Sequence, residues 1–352
     1  MITHASSGAG SPELPFRFTG SGAEYFRIWI VNLCLGVLTL GLYAPWAKVR
    51  TRRYFAANLV VGDSAFDYDA DPVRILIGRL IVLGAFGIYA LTNLLYPPAS
   101  VALAFAGTLL FPLAAVRSTA FHHRHTLLRS IRFGFSAPYR EAAFVLLVGP
   151  LLATLSLGLA LPWFYARRQA FIARSSRYGT SGFGFEQGVA PYYAVFARAS
   201  LPLLCAVVLG ALAAAPFGDL LDAGGLAGRN GIAVAAFFLA VATGIGVTAA
   251  VVQAGLTNLM YRNAWVGELR FRSELRAWTL AWLYFTSGVG VVLSLGMLVP
   301  WARVRLARYR ASALSAWAPA GLDAFTQAAA PEEGLGALAS EAADLFDFDL
   351  GL

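Results

Sequence analysis

Three histidines, His122, His123 and His125, fall within four residues of one another. Neutral imidazoles ligate metals, and His122 and His125 would share a face at i, i+3 spacing on a helix. No Cys, Asp or Glu lies close by, and the cluster occurs once. It reads as part of a solvated basic loop, and no metal ligand set is assigned. No Ser-His-acid order, Gly-rich phosphate loop or paired-carboxylate motif is present. No catalytic residue and no cofactor are therefore assigned, and the chain is not read as an enzyme. Glu24, Glu141 and Glu274 each precede an apolar segment. Their plain reading is stabilisation of a helix N-terminus. The sharper alternative is ion pairing with Arg50, Arg167 and Arg305.

The charge in greatest supply is cationic. The net charge is +8, and all 27 basic residues except Lys48 are arginine. Lys48, Arg52, Arg53, Arg168, Arg303 and Arg308 are candidate contacts for anionic lipid headgroups, each worth about 1 kcal/mol near a membrane surface. Most of the charge is the ordinary bias of cytoplasmic loops. The partner implied is a lipid bilayer rather than nucleic acid, and nothing names a protein partner. The apolar segments hold no Asp or Glu. That weighs against a proton- or cation-coupled carrier, which usually needs such a group at depth. Asn32, Asn93 and Gln253 are the polar groups available there.

These residues are positioned by apolar helices. The chain is 58% hydrophobic and 13% charged, with a mean hydropathy of +0.64, an excess that makes lipid part of its solvent. Residues 1–15 carry no signal-peptide pattern and read as disordered. Cys34 and Cys205 sit in apolar segments and read as buried packing residues rather than a disulfide. Ser21 to Glu24 has the spacing of a capping box. Ile28 to Ala47 is free of charge, and twenty residues at 1.5 Å each give roughly 30 Å, the bilayer core.

One stretch recurs three times: Leu38 to Arg50 (LTLGLYAPWAKVR), Leu155 to Arg167 (LSLGLALPWFYAR) and Leu293 to Arg305 (LSLGMLVPWARVR). Gly41, Gly158 and Gly296 suit the left-handed position after a helix end, and Pro45, Pro162 and Pro300 the first turn of a new helix. Trp46, Trp163 and Trp301 suit the headgroup region. The prolines stand 117 and 138 residues apart, and Phe16, Phe133 and Phe271 keep the same offsets. Phe66 follows Phe16 by 50 residues, as Phe183 follows Phe133. These aromatics, in alternating segments, predict short cytoplasmic strands that meet as a small sheet. The repeated units predict internal duplication.

The fold class expected is a mainly α, polytopic membrane protein with seven apolar segments. Three Gly-Pro-Trp modules (16–68, 133–185 and 271–312) alternate with two transmembrane hairpins (72–117 and 192–256). A membrane domain spans 16–312, and 313–352 forms an acidic tail. From Asp323 onward that tail has seven acids and no base. It either docks on the Arg-rich face, with Phe346 to Leu350 adding a strand, or is a disordered solubilising tail. If all seven segments crossed, loops 163–193 and 257–276 would break the positive-inside rule. If the modules re-enter, every Arg-rich loop and both termini are cytoplasmic. Charge favours re-entry, and segment length favours crossing.

Phe16-Arg17-Phe18-x-Gly20, the run LGLYAPWAKVR from Leu40, Arg53-Tyr54 and Gly62-x3-Phe66-x-Tyr68 together resemble the YjgN-like family of bacterial inner-membrane proteins, a domain of unknown function. The resemblance covers about residues 14 to 312. The second repeat departs from it, with Phe164-Tyr165 in place of Ala-Lys and Ala160 in place of tyrosine. The resemblance implies a multipass inner-membrane protein and supplies no activity. Two functions follow from the residues. One is a transporter or channel built from internal repeats. The other is a non-transporting protein that binds anionic lipid or a partner through its Arg-rich face.

Overall fold

A computed structural model describes residues 13–186, 188–214, 229–319 and 321–330. Within them the chain follows one order four times, a helical pair then a strand hairpin, and a fifth helical pair ends in a single strand that pairs with the first. Strand β1 (Glu13–Phe18) comes first. Helices α1 (Gly22–Leu38) and α2 (Ala44–Ala57) lead to β2 (Leu59–Val61) and β3 (Ser64–Tyr68). Helices α3 (Pro72–Leu95) and α4 (Pro97–Arg124) lead to β4 (Thr126–Leu128) and β5 (Ile131–Phe135). The third pair opens with α5 (Tyr139–Ala143), a π-helical stretch (Phe144–Val148) and α6 (Gly149–Leu155), and returns as α7 (Leu161–Ser175). The widened turn lies just before Pro150, which lacks an amide hydrogen and crowds the carbonyl four residues back. After β6 (Ser176–Tyr178) and β7 (Ser181–Phe185) come α8 (Ala190–Ala214) and α9 (Arg229–Asn263). Then follow β8 (Ala264–Val266), β9 (Leu269–Ser273), α10 (Ala277–Leu293), α11 (Val299–Ser312), β10 (Leu314–Trp317) and a short α12 (Gly321–Ala329).

The ten strands close into an antiparallel barrel in the order β1-β10-β9-β8-β7-β6-β5-β4-β3-β2. The expectation of a small sheet is replaced by one with no free edge among the described residues. Closure satisfies strands only three to six residues long, which would be poor as an open sheet. The joint is made by the two ends of the fold, where Glu13 pairs with Trp317 and Leu14 with Ala316. Glu13 to Pro15, inside the stretch expected to be disordered, are thus part of a paired strand. Residues 314–329 form a strand and a helix rather than the start of a loose tail. Phe346 to Leu350 lies outside the described residues.

Because β1 pairs with β2, and likewise around the ring, both ends of every helix pair meet the barrel. The three motif modules are thus helical hairpins that return to the side they left. Of the seven apolar segments expected, the four of the two hairpins are, among the described residues, long and apolar enough to cross a membrane: Pro72–Leu95, Pro97–Arg124, Ala190–Ala213 and Val234–Asn263. Only 11% of the most apolar window of each is buried within the protein, so their apolar surface faces outward. Cys34 and Cys205 are free and exposed, not buried as expected.

Candidate functional site

Each motif copy builds the same turn. Gly41 N–H donates to Gly36 O at 2.8 Å, and Leu40 N–H to Val37 O at 3.1 Å. These are the two bonds of a Schellman motif, so the first left-handed residue is Leu40, with Gly41 following it. Leu40, Leu157 and Leu295 have φ of 50°, 53° and 50°, and Gly41, Gly158 and Gly296 have φ of 88°, 90° and 90°. The glycine is one position later than expected. The Thr or Ser at the second motif position locks the corner. Thr39 Oγ1 accepts the Tyr43 N–H at 3.0 Å, Ser156 Oγ that of Ala160 at 2.9 Å, and Ser294 Oγ that of Leu298 at 3.0 Å. Pro45, Pro162 and Pro300 lie buried in the first turns of α2, α7 and α11. The three left-handed leucines project almost free of protein, 95%, 94% and 94% exposed. Leu38, Leu155 and Leu293 beside them are also exposed.

The motif tryptophans and arginines do not form one cluster. Trp46 stacks on Tyr43, Trp163 meets Phe144 edge-on, and Trp301 packs on Phe26 of α1. Arg305 donates to Thr286 Oγ1 at 2.8 Å, while Glu274 pairs with Arg272 and Glu24 closes a capping box with Ser21. Arg50 and Arg167 lie exposed on α2 and α7. The histidines also separate. His122 Nδ1 meets the Tyr68 hydroxyl at 2.9 Å, His123 Nδ1 the Thr119 carbonyl at 2.9 Å, and His125 Nδ1 the Asp69 carbonyl at 2.6 Å. The expected basic loop at 117–124 is the last two turns of α4 packed on the barrel, not a solvated segment.

The lipid-contact candidates divide among three places. Arg53 Nε donates to Tyr68 O, and Arg308 to Gly20 O, both at 3.1 Å, so each braces a helix against the loop beside a strand. Arg168 lines a chamber of about 860 Å³ bounded by α2, α7, α9 and α11. That chamber rests on the rim of the barrel at Phe18, Leu59, Ser273 and Leu314, and Arg310 also faces it. No carboxylate is among its lining residues. Gln169 bonds Tyr192 and the Leu256 carbonyl, and Gln253 accepts from Tyr284, which also accepts from Arg310. Lys48, Arg52 and Arg303 meet in a separate crevice of about 450 Å³ between α1, α2 and α11.

Below the chamber the barrel lumen narrows to an apolar collar. Phe16, Phe66, Phe133, Phe183 and Phe271 come from alternate strands β1, β3, β5, β7 and β9. Their ring centres follow one another at 6.4, 6.3, 6.5 and 6.3 Å, all stacked. Val61, Leu128, Tyr178, Val266 and Ala316 are their paired neighbours on the even strands and complete the layer. The space left is about 50 Å³ with no polar lining, too apolar to hold a stable water file.

Helix α12 covers the far mouth, where the strand hairpins turn. Leu322 and Phe325 face the collar, and Phe325 stacks on Tyr178 at 5.4 Å. Asp323 ion-pairs with Arg129, whose Nε also donates to Ser64 Oγ at 2.6 Å. Arg129 and Ser130 make that turn at φ of 50° and 65°, a strained choice for non-glycine residues. Thr180 N–H donates to Ala329 O at 3.1 Å. A Cβ on Gly179 would come 1.9 Å from that oxygen, so only glycine admits the helix there. Of the seven acids of the C-terminal region, Asp323 docks on an arginine, and the other six lie outside the described residues. Sequence reasoning missed α12 and the Thr/Ser lock.

A family model described as "Bacterial protein of unknown function (DUF898)" matches residues 13–345. The inner membrane protein YjgN of Salmonella typhimurium strain LT2 is 28% identical over 347 residues, covering 84% of this chain and 86% of that protein. YjgN of Escherichia coli O157:H7 is 28% identical over 148 residues, 42% of this chain and 37% of that protein. YjgN of Escherichia coli K12 matches to the same extent. No solved structure matches the chain.

Proposed function

The chain belongs to the DUF898 family of bacterial proteins, and from that premise we propose that it is a gated pathway for small anions through the inner membrane. One observation carries this reading. A chamber bearing Arg168 and Arg310 and no carboxylate opens against the rim of a closed barrel, at strands β2, β1, β10 and β9. Two guanidinium groups with no facing carboxylate make such a space favourable to anions and unfavourable to cations. The phenylalanine collar is the barrier in the resting state, because an apolar constriction of this size excludes hydrated ions. Helix α12 is the plug that keeps the collar packed.

The pathway has a direction in this reading. The barrel, both termini and every Arg-rich stretch face the cytoplasm, which satisfies the positive-inside rule throughout. The α3–α4 and α8–α9 pairs cross the bilayer, and the three motif hairpins enter from the cytoplasmic side and return. With Cys34 and Cys205 replaced by alanine, Tyr96→Cys is expected to react with an impermeant maleimide from the periplasm, and Arg177→Cys to stay protected. The reverse pattern overturns the orientation.

Flux into liposomes tests the function. Purified protein in vesicles is expected to pass chloride or nitrate faster than potassium once α12 is loosened by Phe325→Ala. Adding Arg168→Gln and Arg310→Gln in that background is expected to cut the anion rate at least tenfold. Flux no greater than in protein-free vesicles, with all variants folded, overturns the reading. The rival, lipid binding without transport, is favoured by the Lys48 crevice, which makes its own prediction.

A further inference from the structure

We infer that the crevice between α1, α2 and α11 is a binding site for the phosphate of an anionic phospholipid, independent of the axial pathway. Lys48, Thr51 and Arg52 are spaced i, i+3 and i+4 and share one face of α2. Arg303 reaches the same space from α11 and donates to Tyr25 Oη at 3.0 Å. Trp29 and Asn32 line the α1 wall. Three cations face the crevice and no carboxylate does. Ala44 also lines it, so the positive end of the α2 dipole points the same way.

Asn32 is the second, independent observation. Its side chain is 9% exposed, and neither its amide nitrogen nor its amide oxygen has a hydrogen-bond partner. A buried amide with both ends unmatched is costly unless something external meets it. The Schellman turn does not demand it. Nine residues before the motif glycine the other two copies carry Gly149 and Ser287. Seven residues after the motif proline, where the first copy has Arg52, they carry Gln169 and Ala307. The cationic, amide-bearing crevice therefore belongs to the first copy alone and is no by-product of the repeat.

The surroundings favour a lipid over free phosphate. Leu33 lines the crevice, and Val37 lies one helical turn closer to the apolar tip, both exposed. A phosphate held by Lys48, Arg52 and Arg303 thus has an acyl-compatible surface beside it. The Asn32 amide, closed off behind the crevice wall in the free protein, would donate to a phosphate oxygen once the headgroup displaces its neighbours.

Native mass spectrometry of the full-length protein in neutral detergent tests this, with phosphatidylglycerol, phosphatidylcholine and inorganic phosphate as separate titrants. Phosphatidylglycerol is expected to bind at one site, at least tenfold tighter than phosphatidylcholine. Lys48→Gln and Arg52→Gln are each expected to weaken it about fivefold. Asn32→Leu, which replaces an unmatched amide with an apolar group of similar size, is expected to fold at least as stably and still to lose phosphatidylglycerol preference. Equal retention of the two lipids, or unchanged binding in Asn32→Leu and the Lys48→Gln/Arg52→Gln double variant, overturns the site. Displacement of the lipid by millimolar inorganic phosphate would overturn its assignment to a lipid. Anion flux does not enter any of these readouts, so the site and the pathway stand or fall separately.

Discussion

Replacing Leu40, Leu157 and Leu295 together by asparagine separates a lipid-facing turn from a water-facing one by the sign of the effect. Each leucine holds a left-handed conformation that costs an L-residue roughly 1–2 kcal/mol, and asparagine adopts it with much less strain. Each is also about 95% exposed to whatever surrounds the protein. Were the tips in water, the leucines would be as hydrated folded as unfolded, and relief of strain would dominate. The triple variant would then gain about 3 kcal/mol, taking about 1 kcal/mol for each site. In lipid, each substitution forfeits roughly 1.5–3 kcal/mol of leucine transfer and adds an amide whose unpaired burial costs about 2 kcal/mol or more. After strain relief, a net loss of about 3 kcal/mol per tip remains.

In the proposed orientation, helix length carries the tips into lipid. From Ile28, past the last charge on α1, to Leu38 is eleven residues, or about 16 Å of descent. The uncharged α10, Ala277–Leu293, gives about 25 Å. Both bring the turn well inside a core about 30 Å thick. The assay is equilibrium unfolding in bicelles, read as the shift in midpoint at constant slope. A lower midpoint is expected for each single variant and the lowest for the triple. A triple variant more stable than wild type would refute lipid insertion of the three hairpins.

Three further outcomes are expected. Phe325→Ala, or Asp323→Lys against Arg129, should raise hydrogen exchange at the Thr180 amide, which Ala329 O now protects; Phe325→Ala should do so by at least tenfold, since it removes about 2 kcal/mol of packing from a partly buried ring. Unchanged exchange there would mean that α12 is not held by these contacts. Thr39→Val and Ser294→Ala should each cost about 1 kcal/mol in the same bicelle assay, because each strands one backbone N–H at the corner, while Thr39→Ser should be near neutral. Burial pushes the Tyr178 hydroxyl up from 10 to about 12. A folded value above the unfolded one gives stability that is complete below pH 10 and lost as pH rises towards 12, roughly 3 kcal/mol in all. Tyr178→Phe should reduce that pH dependence, leaving the share of tyrosines such as Tyr54 that burial also raises, and an unchanged dependence in the variant would place the titration elsewhere.

The turn was legible from Gly41 and Pro45 because a left-handed glycine and a first-turn proline have strong local causes. Its details were not. Leu40 takes the first left-handed position against its intrinsic backbone preference. The Thr39, Ser156 and Ser294 hydroxyls were visible as the one polar constant in an apolar motif, which is the signal that could have revealed the lock. The five phenylalanines at Phe16, Phe66, Phe133, Phe183 and Phe271 already marked five units, but the contrast between short motif hairpins and long apolar ones hid their equivalence. The crevice could not be foreseen, since it joins α1 and α2 to α11, more than 250 residues away. Helix α12 was hidden by the acidic composition around it, which reads as a solvated tail.

Closure by the chain ends has a mechanical consequence. Four strand hairpins are local, each made around a two-residue turn, but the fifth exists only when Glu13 to Pro15 meets Ser315 to Trp317. Until residue 317 is made, β1 and β9 are open edges, and the collar is a row of phenylalanines with a gap between Phe271 and Phe16. Helix α12 follows that last strand directly and lies on the completed mouth, so the plug seats after the barrel closes. A chain beginning at Phe18 would keep every helix pair and the motif turns, yet leave β2 and β10 with open edges. It should insert into membranes and then associate through those edges, and cross-linking that finds it as monodisperse as the full chain would show that closure is dispensable.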